Sequence, residues 1–346
     1  MDDNGSHYDV LVVGGGAAGL SAGLTLARAR RDVLVLDAGE PRNAPAEGVH
    51  GFLTRDGIAP AELTALGREE VTRYGGQVRS GRAVSARRTA GGFTVRTADG
   101  DELTARRLIL ASGVAEEFPD VDGLRERWGR DVVHCPYCHG WEVRDRAIGI
   151  LATGPFGVHQ AQMLRQWSDD VTLFLHTAPD PTDEEWERLA ARGIAVVDGE
   201  VAGLEVTDDA LSGVRLASGR VVAREAVVVL PRAVAGGALL DGLGLEIVEH
   251  PTGVATQLDT DPTGRTAVPG VWAAGNLRDP MATVVASAAS GVTAAMAVNG
   301  DLITSETDRA VALRRGDPFS AASEARVAAL VAGDRAHGLS AAGSRT

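Results

Sequence analysis

Short apolar runs and Gly-rich breaks alternate along this chain in an order that can be followed from its start. Residues 8–13 form a β-branched apolar run that leads straight into Gly14-Gly15-Gly16-Ala17-Ala18-Gly19; an Ala- and Leu-rich stretch follows to about residue 29, and a second run, 33–36, ends at Asp37. Short continuous apolar runs bounded by turn residues read as buried strands, and the stretch between them as helix, which makes this a βαβ unit. Residues 84–103 alternate around Gly91-Gly92 and Asp99-Gly100 as antiparallel hairpins, and 107–112 is a buried strand ending at Gly113. Residues 40–57 carry turn chemistry throughout, with Arg42 and Asn43 between two prolines and His50 beside Gly51. Long loops inside compact domains tend to be functional, so this one is expected to line a ligand rather than merely connect.

The pattern then repeats. A gapless shift of 138 positions lays 148–151 on 10–13 and 171–174 on 33–36, predicting a second nucleotide-type βαβ unit. At that shift Gly14 becomes Ala152, Ala17 and Ala18 become Pro155 and Phe156, and Asp37 becomes Leu175; only Gly154 and Gly157 keep their partners. One backbone N–H is lost and a ring stands where a pyrophosphate would lie. Residues 176–180 offer no arginine for a 2'-phosphate. Fold retained and ligand lost is the inference. Beyond this unit the pattern predicts a helix over 184–192, hairpin strands within 194–222 and a buried strand at 226–230. It then predicts a return crossing near 231–242, a strand stopping at Gly275 and a small-residue helix over 281–298. Two weakly amphipathic segments, 304–313 and 320–332, precede a tail, 338–346, whose composition reads as disorder.

Composition narrows the setting. With 346 residues, 44% apolar, the chain can bury two ordinary cores. No charged-then-apolar leader occurs at residues 1–7, and no apolar run approaches the length of a membrane span, so a cytoplasmic protein is expected. A net charge of -13 disfavours nucleic acid and anionic membranes as partners.

Two places carry candidate chemistry. Gly14, Gly16 and Gly19, followed by Asp37 at a strand end, form a dinucleotide fingerprint in its proper strand–turn–helix context. Gly14 serves the tight turn, Gly16 the close approach of the pyrophosphate, and Gly19 the packing of helix on strand, with Ala17 and Ala18 opening the helix whose N-terminus favours anions. The only two cysteines, Cys135 and Cys138, stand as Cys-x-x-Cys between His134 and His139. A buried apolar thiol pair leaves that spacing unexplained. A zinc site would need two further ligands, and these two histidines are too near in sequence to surround one ion, so no metal is expected. A redox dithiol, opened and closed by thiolate exchange, remains.

The order of these parts resembles the low-molecular-weight thioredoxin reductase family of flavoproteins over residues 8–301. The resemblance implies an α/β fold of two nucleotide-binding-type three-layer βαβ domains, the first discontinuous. That assigns residues 1–118 and 237–303 to an FAD-binding domain, 119–236 to a degenerate NADPH-type domain carrying the Cys-x-x-Cys, and 304–346 to a helical, partly disordered tail. It places FAD on Gly14, Gly16, Ala17, Ala18, Gly19 and Asp37, on Arg42, Asn43, His50 and Gly113, and on the Gly275-Asn276 turn, where the family usually has aspartate instead of Asn276. The form His-Cys-Pro-aromatic-Cys-His-Gly-aromatic-Glu, residues 134–142, is similar to a branch of dithiol oxidases that close disulfides in natural products such as gliotoxin and holomycin. That branch implies a small-molecule dithiol as substrate, O2 as acceptor, no NADPH, and a homodimer. Cys138 is then the flavin-side thiol and Cys135 the substrate-side one. His134 is the first candidate base and His139 the second, with Asp279 as the acid that orients an imidazole, unless it caps the helix that follows. Tyr137 and Trp141 read as packing or pocket walls. A thioredoxin-disulfide reductase using NADPH or another electron donor, and a flavin-bearing redox sensor without turnover, are the competing expectations.

Overall fold

A computed structural model describes residues 7–316 and 320–332. The chain divides into two compact units, the first ending at Ala297 and the second beginning at Val298. The first opens with β1 (His7–Val13), α1 (Ala17–Arg28), β2 (Val33–Asp37), α2 (Pro60–Arg73), β3 (Gln77–Ser80), β4 (Ala83–Thr89), β5 (Gly92–Thr97) and β6 (Glu102–Leu110). These pair in the order β3-β2-β1-β6-β5-β4. β3, β2, β1 and β6 are parallel, while β4, β5 and β6 form an antiparallel meander. Central parallel strands are covered on both faces, which is why 10–12 and 33–36 are apolar without alternation and almost wholly buried. The sequence separates a hairpin strand ending at 103 from a buried strand starting at 107; they are one strand, β6, which pairs with β5 along its first half and with β1 along most of its length.

The chain next forms β7 (Ala115–Glu117), β8 (Val132–Val133), α3 (Pro136–His139), β9 (Ile148–Leu151), α4 (Gly157–Leu164), β10 (Val171–Phe174), α5 (Asp183–Ala191) and β11 (Ala195–Val197). β12 (Val201–Thr207), β13 (Ala210–Leu216), β14 (Val221–Val222), β15 (Ala226–Val229) and β16 (Arg232–Val234) follow. A second parallel sheet runs β11-β10-β9-β15-β8, with β12-β13-β14 as a separate antiparallel meander. The repeat is literal at the level of register: Ile148 faces Val171 as Val10 faces Val33. β7 and β16 pair antiparallel where the chain leaves the first sheet and returns to it. Buried Arg127 holds Asp131 and reaches Asp209 at 2.8 Å, and Asp131 accepts the Leu211 N–H at 3.0 Å, so the meander is tied to the start of β8 by paired rather than lone charges.

After the return come α6 (Ala238–Asp241), β17 (Ile247–Glu249), β18 (Thr256–Leu258), β19 (Val271–Ala273), a 3-10 turn at Gly275–Leu277, α7 (Val284–Gly316) and α8 (Ala321–Ala332). β19 joins the first sheet beside β6, Val271 facing Leu108, so the nucleotide-type domain is built from both ends of the first unit. This is the two-domain α/β fold with a discontinuous first domain that the sequence implies. Two expectations need correction. The helices placed at 281–298 and 304–313 are a single helix, α7, because the lone glycine between them, Gly300, costs a helix interior only about 1 kcal/mol. Its start is delayed to Val284 because residues 279–282 form a turn, the Ala282 N–H reaching the Asp279 carbonyl at 3.0 Å. The tail segment 338–346 lies outside the described residues. Among the described residues no helix is long and apolar enough to cross a membrane.

Two glycines of α7 differ in what surrounds them. A Cβ on Gly291 would lie 2.0 Å from the Ala18 carbonyl oxygen, whereas Gly300 has open space. Gly291→Ala should destabilise the protein by about 1–3 kcal/mol through overpacking, and Gly300→Ala should stabilise it by about 0.5–1 kcal/mol. Urea unfolding of the two variants checks both signs.

Candidate active site

The fingerprint glycines occupy three different environments, each matching a distinct demand. Gly14 has φ +108°, and a Cβ there would meet the Ala111 carbonyl at 2.2 Å; a Cβ on Gly19 would meet the Gly14 carbonyl at 1.8 Å. Both are steric necessities of helix on turn, and Gly19 accordingly lies behind the site rather than on its wall. Gly16 has nothing within 4 Å of its would-be Cβ. As the N-cap of α1 it offers no side chain, so the first N–H groups of the helix are left for an occupant of the space in front of it.

That space is a cavity of about 1270 Å³, above the roughly 300–1,000 Å³ of an ordinary small-molecule pocket. Gly14, Gly16, Ala17, Ala18, Asp37, Arg42, Asn43, His50, Gly113, Gly275 and Asn276 all line it, and so do His134, Cys135, Cys138 and His139. The structure thus brings the cradle and the dithiol to one cavity. Asp37 is buried; one carboxylate oxygen accepts the N–H groups of Gly15 at 3.2 Å and Gly39 at 3.1 Å, and the other is paired with Arg68 of α2. Its first task is to shape the turn, and the lone pairs left over are those open to a ribose hydroxyl. Arg68 had no signal in the sequence, because only the packing of α2 brings it there.

Loop 40–57 is fastened rather than loose. Arg42 pairs with Glu116 of β7 and donates to the Pro280 carbonyl at 2.9 Å, and an antiparallel bridge joins Val49 to Ile58. His50 stands between two carboxylates, Asp56 at 3.6 Å and Glu142 at 3.5 Å. Asn276 explains its own departure from aspartate. Its side-chain amide donates to the carbonyls of Asp279 at 3.1 Å and Ala282 at 2.9 Å, which a carboxylate would repel, and its oxygen remains free to accept. Asp279 is corrected here: its carboxylate accepts the Met281 N–H at 3.0 Å, within an exposed turn off the cavity wall, and makes no contact with a histidine. It does not cap α7 either, since that helix starts five residues later.

The dithiol sits at the first turn of α3. Cys135 is the N-cap and Pro136, whose fixed φ suits a first helical position, follows it; the Cys138 and His139 N–H groups reach the Cys135 carbonyl at 3.1 and 3.0 Å. This turn brings the two Cα atoms to 5.2 Å, and Cys135 and Cys138 form a disulfide. His134 stacks on Trp128 with ring centroids 5.4 Å apart. Burial, reinforced by the Arg42 charge and by His139, pushes its pKa down to about 3. His139 is lowered as well, by burial against the opposing pull of Glu142, and both of its ring nitrogens are buried with no hydrogen-bond partner. Both imidazoles are therefore neutral at working pH. Tyr137 packs edge-on to Trp167 at 5.8 Å as a cavity wall. Trp141 does not pack as expected: it is 66% exposed and carries the Arg144 guanidinium over its ring.

The family description "pyridine nucleotide-disulphide oxidoreductase" matches residues 8–291, most of the chain. The protein belongs to that family. It is 32% identical over 311 residues, covering 85% of this chain and 94% of the relative, to thioredoxin reductase sirT of Leptosphaeria maculans. The solved structure of HlmI matches with a TM-score of 0.83 and 46% identity over 91% of this chain and 98% of that one. An oxidoreductase from Agrobacterium tumefaciens matches with a TM-score of 0.81 and 37% identity, over 86% of this chain and 99% of that one. This family member is thus a thioredoxin reductase-like, flavin-dependent oxidoreductase, and the family implies that the dinucleotide it binds is FAD. The residues fit that group: an uncapped helix N-terminus, a glycine whose missing Cβ leaves room, and a cavity lined both by these residues and by the disulfide.

Gly16→Ala should lower the FAD retained on purification while keeping the wild-type unfolding midpoint once FAD is stripped from both proteins, whereas Gly19→Ala should lower the midpoint of the apoprotein itself; absorbance and thermal unfolding separate the two. The histidines give a pH dependence. With the folded pKa of His134 near 3 and its ordinary value at 6.5, the unfolded chain takes up the proton first. Stability is full above about pH 6.5 and falls as the pH drops toward about 3. The unfolding midpoint should follow that curve, and His134→Gln should flatten it.

Proposed function

We propose that this protein is an FAD-dependent dithiol oxidase that closes a disulfide in a small natural-product dithiol and uses O2 as acceptor, with no need of NADPH. One observation carries the reading: the second nucleotide unit keeps its strand register but not its cradle. α4 begins only at Gly157, behind Pro155 and with Phe156 at its N-cap, and Leu175 is buried where the first unit has Asp37. Phe156 lines the same cavity as the dithiol and the first unit's glycines. A side without a nicotinamide cradle supports electrons entering from the thiol side.

In this reading a substrate thiolate attacks Cys135, forming a mixed disulfide and releasing Cys138 as thiolate. The second substrate thiolate then attacks the substrate sulfur of that bond and frees Cys135. Two substrate thiols have lost two protons and two electrons, and the protein disulfide has become a dithiol. His134, neutral and beside Cys135, takes the proton of the attacking thiol; the Cys138 thiolate released on the same short turn supplies negative charge that favours an imidazolium in a buried place. The chemistry FAD supplies when bound is two-electron transfer from the Cys135/Cys138 dithiol to O2, which with two protons leaves as hydrogen peroxide. A cytoplasmic homodimer belongs to the same reading, and the exposed apolar row Val285, Val292 and Met296 on α7 supports the dimer; its mass in solution tests it.

The deciding experiment is anaerobic mixing of the yellow protein with NADPH and, separately, with dithiothreitol, followed by admission of air. Bleaching by the dithiol and not by NADPH, with colour and peroxide returning in air, is the expected result. Rapid bleaching by NADPH would overturn it in favour of a reductase, and a single reduction without turnover in air would make the protein a sensor. In the same assay Cys138→Ser should abolish bleaching, and His134→Asn should slow it by about 10²-fold or more.

A further inference from the structure

α4 presents an unexplained polar group to the cavity. Phe156, His159, Gln160 and Met163 are spaced i, i+3, i+4 and i+7, which places them on one face, and all four line the cavity that also holds the disulfide. Gln160 is only 8% exposed. Its backbone N–H reaches the Phe156 carbonyl at 2.9 Å, but its side-chain carboxamide has no hydrogen-bond partner among the described residues. The carboxamide therefore opens onto the cavity, where its donor and acceptor are left for an occupant. The repeat shows that the fold does not call for it: 138 positions earlier the residue is Ala22, fully buried, and Phe156 and Met163 correspond to Ala18 and Thr25. Small residues in the first unit have thus become long ones that reach the cavity.

The same face leads to the dithiol. Met163 and Trp167 pack against one hydrophobic cluster. Trp167 in turn meets Tyr137 edge-on, and a Cβ on Gly140 would lie 2.9 Å from its ring, so the stripe from Gln160 ends against the turn that carries Cys135 and Cys138.

We propose that this face of α4 is the substrate subsite, in which the Gln160 carboxamide pairs with an amide group of the dithiol while Phe156 and Met163 cover its apolar part. The complement of a neutral side chain with one donor set and one acceptor is another carboxamide, which uses both. His159 is the one ionisable side chain of the four; the Gln160 carboxamide itself matches a neutral amide rather than a carboxylate or a phosphate. The substrate class is a compact dithiol bearing an amide. The proposal rests on the dithiol-oxidising reading above.

The test compares two dithiols by anaerobic flavin bleaching: bis(mercaptoacetyl)hydrazine, whose thiols flank amides, and dithiothreitol, which has none. In the wild type the second-order rate constant for the first should exceed that for the second. In Gln160→Leu the ratio should fall about tenfold, the scale of one lost hydrogen-bonded pair, with an unfolding temperature equal to the wild type or higher. Gln160→Glu, of equal length but without the N–H donor, should move the ratio the same way. An unchanged ratio, a lowered unfolding temperature, or an altered flavin spectrum in Gln160→Leu would overturn the subsite, since the last two mark a packing or cofactor role. A wild type bleached by neither dithiol would overturn the oxidase reading and the subsite together, whereas bleaching by both with an unchanged ratio would overturn the subsite alone.

Discussion

The rest of the structure depends on how closely backbone approaches backbone at the start of α1. Three separate segments arrive there. The end of β6 sets the Ala111 carbonyl 2.2 Å from where a Cβ on Gly14 would stand; a Cβ on Gly275 of the 3-10 turn would lie 2.9 Å from the Ala18 side chain, and one on Gly291 of α7 2.0 Å from the Ala18 carbonyl. None of these approaches admits a side chain. The sheet, the late turn and the long helix are thereby locked around a helix end whose own N–H groups are left facing a cavity. The binding capacity of the site is a consequence of that packing: a helix N-terminus with a side-chain cap would satisfy its donors internally and attract an anion less.

The second unit shows the same architecture relieved of the constraint. Gly157 still approaches Ala152 as Gly19 approaches Gly14, so helix and strand still pack. With Pro155 and Phe156 in place of the two alanines, however, α4 starts two positions later by the 138-residue shift, and its residues turn toward the other unit's cavity. One βαβ plan thus serves two purposes, set by whether small or large residues stand at the helix start.

Much of this was legible in the sequence. The register of both parallel sheets follows from a gapless shift, because buried strands tolerate no slip without turning their side chains to the wrong face. The roles of Gly14, Gly16 and Gly19 follow from their order alone, since the steric demands of a strand–turn–helix are local. What was not legible depends on partners distant in sequence. Arg68 reaches Asp37 only through the packing of α2, and Asp279 faces solvent because Asn276, three residues earlier, uses its amide to close the turn beneath it. The continuity of α7 escaped the pattern because a single glycine weighs little against more than thirty residues of helix. Gln160 gave no signal at all: a glutamine in a helix is ordinary until its burial and lack of a partner are seen together.

The pair of histidines around the disulfide is best understood by asking what an acid would do in the same place. His139 has both ring nitrogens buried without a partner, and a carboxylate there would lose its hydration with no donor to replace it, so it would hold its proton or pull a counter-ion into the cavity. A neutral imidazole avoids both outcomes, and burial keeps it neutral. His134, stacked on Trp128 and near the Arg42 charge, is held in the same state. While the disulfide is closed, no charge resides on either side chain flanking it. When the bond opens, a thiolate becomes the new anion on this short turn, and the neighbouring imidazoles are the groups whose proton affinity it raises most directly. The basicity of the site is therefore tied to the redox state of the two sulfurs, in addition to the pull of Glu142 on His139.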